Sequence, residues 1–122
     1  GSKLLKRIPS DSLNIVMLTF PDPFADEKQK QYRILQRHTA EEIHRVLVAG
    51  VGNNTGRFLL ATDHPVCFEW CNGVMDGLPD IFQRDAVPDR STWLPLVSKY
   101  EQKGWDEGRT TRLACWKKVV NT

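Results

Sequence analysis

Hydrophobic positions group into short runs separated by strong breakers. Leu13 to Phe20 (LNIVMLTF) is apolar and rich in β-branched and aromatic residues. It lies between Ser10-Asp11-Ser12 and Pro21-Asp22-Pro23, and such a bounded run predicts a buried strand. The Asp-Pro step keeps Asp22 out of the helical region.

From Asp26 the period changes. Tyr32, Leu35, Thr39, Ile43, Val46 and Leu47 fall in one stripe at about 100° per residue, the signature of an amphipathic helix. The stripe fits a helix from Asp26 to Ala49, stopped by Gly50 and Gly52. Thr39-Ala40-Glu41-Glu42 also reads as a capping box, so a break at His38 competes with a continuous helix.

Gly52-Asn53-Asn54-Thr55-Gly56 is a turn cluster. Beyond it, Arg57 to Thr62 and Val66 to Trp70 are expected to pair as a hairpin across Asp63-His64-Pro65. Residues 72–90, rich in Gly, Pro and Asp, read as a long irregular connection. Thr92 would cap a helix to about Lys103, burying Trp93, Leu96, Val97 and Tyr100 and ending at Gly104 and Gly108. Residues 110–120 admit a strand or a helix, and Val119-Val120 with the threonine pair favours the strand. The expected fold class is α+β, a small antiparallel sheet of three or four strands with two main helices on one face.

The chain has 122 residues, enough for one domain with its own core. Gly1-Ser2 reads as the scar of a cleaved tag, followed by a lead-in to residue 12. Residues 13–122 then form a single domain, expected to be a piece of a larger protein. No aliphatic run approaches the roughly 20 residues of a membrane span. Three cysteines, Cys67, Cys71 and Cys115, are too few for a disulfide scaffold and suit a reducing, intracellular compartment.

A net charge of +2 hides an asymmetry. Asp63, Glu69, Asp76, Asp80, Asp85 and Asp89 face one base, Arg84, in the middle of the chain. From Gly108 onward Arg109, Arg112, Lys117 and Lys118 meet no acid, and Lys3, Lys6 and Arg7 add to the amino end. One basic and one acidic side are expected.

The chemistry-bearing patterns are sparse. His64, Cys67, Cys71 and Cys115 have zinc chemistry without zinc spacing, so neither metal nor cofactor is expected. No cysteine sits at a nucleophile turn. Pro88-Asp89 with Glu101-Gln102-Lys103 matches the wording of a metal-nuclease pattern, but on a helix Glu101 and Lys103 diverge by about 200°. Gly50 to Gly56 follows a helix, whereas phosphate loops follow a strand.

The stronger signal is a basic helix face. Lys30, Arg33, Arg37 and His44 fall within about 60° of one another, opposite the apolar stripe, and could track phosphates. At the other end Arg109, Arg112, Lys117 and Lys118 surround Trp116, an arrangement suited to stacking a base. Trp105 and Trp116 lie outside the predicted core and so mark an interaction surface.

The expectation is therefore a non-catalytic binding module. It would contact an acidic protein or a nucleic acid, RNA before DNA, through Lys30, Arg33, Arg37, His44, Trp105, Arg109, Arg112, Trp116, Lys117 and Lys118. The alternative is a small metal-dependent nuclease using the acidic loop 76–89.

Overall fold

The computed structural model describes residues 5–51 and 54–120. Lys3, the Gly52-Asn53 step of the expected turn and the Tyr100 side chain lie outside the described residues. Four strands form one sheet in the order β1-β2-β4-β3: β1 (Ile15–Thr19), β2 (Arg57–Thr62), β3 (Phe82–Asp85) and β4 (Arg112–Lys118). The sheet is accompanied, among the described residues, by the helices α1 (Arg37–Val46), α2 (Pro65–Asp76), α3 (Arg90–Trp93) and α4 (Lys99–Asp106). The α+β class holds. β1 runs parallel to β2 and the other pairings are antiparallel, so the sheet is mixed.

β2 and β4 are the central strands, and their side chains split by parity. Phe58 and Leu60 of β2, with Ala114 and Trp116 of β4, face α1 and α2. There they join Leu35, Ile43, Leu47, Cys67, Cys71 and Met75 in the main core. Leu59, Ala61 and Cys115 face the other way, where Trp93 and Leu94 cover them.

The expected hairpin is corrected. Residues 66–70 belong to α2, because the buried set Cys67, Cys71 and Met75 repeats every four residues, a helical period. Pro65 occupies the first turn, where its missing N–H costs nothing. A five-residue apolar run could not separate the two readings. β3 lies inside the supposed irregular stretch.

The long first helix is also corrected. It is a 3-10 helix, Glu27–Tyr32, followed by α1, and the break falls at residues 33–36 rather than at His38. Arg33 leaves the helix with extended backbone, and Gln36 bridges the gap by donating Nε2 to the Lys30 and Arg33 carbonyls. Thr39 is buried inside α1 and caps nothing.

Helix 92–103 divides at Pro95, which disfavours helical backbone at Leu94. Asp89 caps α3 and Ser98 caps α4. Trp93 is buried as expected, but Leu96 is 81% exposed and Val97 is exposed too.

The lead-in is part of the domain. Arg45 donates to the carbonyls of Leu5 and Ile8 and to the Ser10 hydroxyl, while Lys118 Nζ holds Asp11 at 3.0 Å and the Leu47 carbonyl at 2.7 Å. Among the described residues no helix is long and apolar enough to cross a membrane.

Candidate active site

Parallel strands bring their carboxyl ends to one side of a sheet, and ligands of such sheets gather there. β1 and β2 end together, Thr19 beside Ala61. After β1 the chain turns through Phe20-Pro21-Asp22-Pro23-Phe24. Phe20 (φ 47°) and Phe24 (φ 42°) both take left-handed backbone, which costs a bulky residue on the order of 1–3 kcal/mol. Asp22 Oδ1 accepts the Phe24 N–H at 3.1 Å, and Phe20 donates its N–H to Ala61. Strain of this kind persists where surrounding contacts fix it, and Arg33 supplies one.

Arg33 is 5% exposed beneath this turn. Its Nε donates to the Phe24 carbonyl at 3.1 Å, and its guanidinium lies 4.6 Å from the Trp70 ring centre. Nη2 is buried without a hydrogen-bond partner, and its nearest acid, Glu27, stands at 3.8 Å. Trp70 is fixed in turn by its indole N–H on the Leu35 carbonyl. Cys67 and Cys71 line the same small void. A hydrogen bond from Cys71, helped by the Thr62 hydroxyl and the Arg33 charge, brings the Cys67 thiol down to about 7 against the opposing effect of burial.

β2 ends at Thr62, and Asp63 and His64 follow it. Asp63 is 5% exposed, and Arg109 Nε donates to its Oδ2 at 3.1 Å. Helix α4 reaches the same carboxylate because residue 104 is glycine; a Cβ there would stand 2.2 Å from Asp63 Oδ2. α4 is anchored by Glu101, whose carboxylate is fully buried and takes both terminal nitrogens of Arg90 and the Thr111 hydroxyl. The Arg90 hydrogen bonds hold that carboxyl below the ordinary glutamate range, outweighing burial, with Thr111 adding to them. His64 Nδ1 is buried without a partner.

The predicted basic surface is largely dismantled. Arg33 is turned inward, so Lys30, Arg33, Arg37 and His44 make no continuous rail. Lys30 and Arg37 remain exposed, Arg37 beside Glu41 at 3.5 Å. His44 Nε2 lies 3.0 Å from the Val119 carbonyl. Trp116 is fully buried, with its indole N–H on Asp76 and the Arg84 guanidinium over its ring, so it stacks no base. Lys118 is buried and pairs with the exposed Asp11, and Lys117 is half-buried. Arg112 is exposed, Arg109 is turned to Asp63, and Trp105 is 39% exposed with its N–H on Thr111.

The acidic loop has structural partners. Asp76 pairs with Arg84, Asp85 with Arg57, and Asp89 caps α3. Among the described residues no three metal-ligating side chains gather.

Sequence reading gave Asp63, Gly104 and the Phe20–Phe24 turn no functional role and weighed Glu101 only in a nuclease pattern. Two signals pointed to them: a Pro-Asp-Pro turn closing one strand and Thr-Asp closing its parallel neighbour. A third was the Ser98-x-x-Glu101 capping box, in which Ser98 Oγ accepts the Glu101 N–H.

Residues 2–114 match a family described as "Putative methyltransferase". A tRNA (guanine-N(7)-)-methyltransferase of Hydrogenovibrio crunogenus is 36% identical over 104 residues, 83% of this chain and 41% of the relative. A protein of the same name from Escherichia coli (strain 536) is 35% identical over 83% of the chain and 41% of the relative. One from Acinetobacter baylyi is 27% identical over 96% and 46%. The chain thus spans less than half the length of these curated relatives. The match overturns both functional expectations, the non-catalytic binding module and the metal nuclease. The chain belongs to this methyltransferase family.

Proposed function

We propose that this chain is the base-recognising part of a tRNA methyltransferase that modifies N7 of guanine. The observation that carries the reading is Asp63, a nearly buried carboxylate held by Arg109 and closely approached by α4 at Gly104, beside the strained turn of the parallel neighbour strand. The shared name of the matched relatives supports it.

Guanine suits such a carboxylate. Its Watson–Crick edge offers an N1–H and an amine, both donors, and an ionised carboxylate accepts from both. N7 carries a lone pair and no proton, so methylation there needs no general base. The product purine is cationic. A negative charge in a water-poor setting offsets that developing charge far better than bulk solvent does. Arg33 acts one step back, holding the Phe24 carbonyl and with it the shape of the turn.

The described residues do not fit a methyl donor at this place. The void beneath the turn measures about 10 Å³, room for a single water, whereas ligand pockets run to several hundred. The donor is held by other parts of the methyltransferase. Exposed Lys28 and Lys30, in the 3-10 helix after the turn, and exposed Arg37 at the start of α1 serve as phosphate contacts for the RNA.

The test is transfer of a labelled methyl group to a tRNA transcript by the assembled methyltransferase, wild type against Asp63→Asn. The expected loss is about 100-fold, the scale for removing one preorganised charge partner. Equal transfer by both, or a label found on an atom other than guanine N7, sinks the reading.

A further inference from the structure

The four tryptophans divide by exposure. Trp116 is fully buried, Trp93 nearly so, and Trp70 is half-buried with its N–H on the Leu35 carbonyl. Trp105 is 39% exposed. Tryptophan is ordinarily a well-covered residue, and open indole rings gather where a partner docks.

The Trp105 ring is held before any partner arrives. Its Nε1 donates to Thr111 Oγ1 at 2.9 Å, and the Arg90 guanidinium lies 5.7 Å from the ring centre. Thr111 and Arg90 both bond the buried Glu101 carboxylate, so the ring leans on the cluster that anchors α4. A ring already fixed loses little freedom on binding.

Its place narrows the partner. Trp105 follows Gly104, the point at which α4 meets the Asp63 carboxylate. A base read by a buried carboxylate must leave its stack, and the nucleotide beside it then loses a stacking partner. An aromatic ring restores that contact for any base. The charges nearby suit RNA as well. Lys103 and Arg112 are exposed, while Asp106 accepts from Gln102 and Glu107 pairs with Arg109.

We propose that Trp105 is a stacking platform for the nucleotide next to the target guanine, whose base lies on the ring face turned away from Arg90. Asp63 takes the base to be modified, and Trp105 keeps its neighbour from collapsing into the gap. The inference rests on the guanine reading given above and extends the RNA contact to a second nucleotide.

Binding of a labelled tRNA transcript to the assembled methyltransferase tests it. Trp105→Leu should weaken that binding about tenfold, the scale of one lost base–aromatic stack, without changing its salt slope. Trp105→Phe keeps a flat ring without the N–H and should stay within about threefold of wild type. An abasic nucleotide placed 5′ or 3′ of the guanine should cost the wild-type protein about tenfold at one of the two positions, and that penalty should vanish in Trp105→Leu. Unchanged affinity in Trp105→Leu overturns the proposal. An equal loss in the leucine and phenylalanine variants makes the ring a strut for Thr111 and overturns it too. The same holds if Trp105→Leu disrupts the assembly, followed by light scattering, rather than tRNA binding, which gives the ring to a protein neighbour. The abasic transcripts need only the wild-type protein, so no penalty at either position overturns the proposal even if the leucine variant fails to fold. Methyl transfer to an atom other than guanine N7, with the abasic penalty intact beside that nucleotide, upholds the stack and counts only against the function proposed above.

Discussion

Gly104 and Asp63 meet because one of them has no side chain. The close approach of α4 to the Asp63 carboxylate leaves 2.2 Å for a Cβ that glycine does not carry. Gly104→Ala improves helix propensity by roughly 0.5–1 kcal/mol but must displace either α4 or the carboxylate. Overpacking of this kind costs typically 1–3 kcal/mol. The melting temperature should fall, and guanine methylation by the assembled enzyme should fall with it. A variant that melts higher than wild type would show that α4 is not docked there.

Glu101 gives a pH signature. Its folded carboxyl lies below the ordinary value of about 4.3, so it contributes stability above that pH. That contribution is lost as pH falls through the folded value. In Glu101→Gln the slope of the urea midpoint against pH should flatten below about pH 4. Removing one partner of a buried pair costs about 3–5 kcal/mol, and the quarter-exposed Arg90 places this case at the lower end. Parallel slopes for the two proteins would mean that the pair does not form.

Two adjacent lysines should behave oppositely. Lys118 is 8% exposed and binds Asp11 and the Leu47 carbonyl, whereas Lys117 lies on the other face of β4. Lys118→Ala should destabilise by about 1–3 kcal/mol through the orphaned carbonyl, and Lys117→Ala by less than about 0.5 kcal/mol. Chemical denaturation of both variants decides it, and equal midpoints would refute the clamp.

Trp93 is the largest buried side chain on the second face of the sheet, packed with Leu59, Ala61 and Cys115. Trp93→Ala should cost about 3–5 kcal/mol. A melting curve within two degrees of wild type would place that side chain in solvent.

Lys30→Glu with Arg37→Glu tests the RNA contacts that survive from the basic face. Both side chains are exposed, so folding should be unaffected. The salt dependence of tRNA affinity should lose about 2 from its log–log slope. An unchanged slope would remove these residues from the interface.

Much of the framework was legible. β1 and β2 follow from apolar runs between breakers, β4 from the threonine pair and Val119-Val120, and Trp93 from its place on an expected helical face. What escaped was set by distant partners. Arg33 looks like a surface residue on a helical wheel, and only a carbonyl nine positions back and an indole from another helix turn it inward. Trp116 looks like a base-stacking residue until Phe58, Asp76 and Arg84 close around it. Asp63 and Gly104 become a site only when β2 and α4 are brought together, and no local pattern encodes that distance.

The clamp on the lead-in also has a mechanical consequence. Arg45 and Lys118 tie residues 5–11 to α1 and to β4, so the segment ahead of β1 is fastened to a strand more than 100 positions away. Tension applied at residue 5 meets these side-chain contacts before it reaches any backbone pairing between β1 and β2. A pulling trace should therefore show a small early release followed by the rupture of the sheet. A trypsin cut after Arg7 should erase the Leu5 part of that release while leaving the main rupture in place.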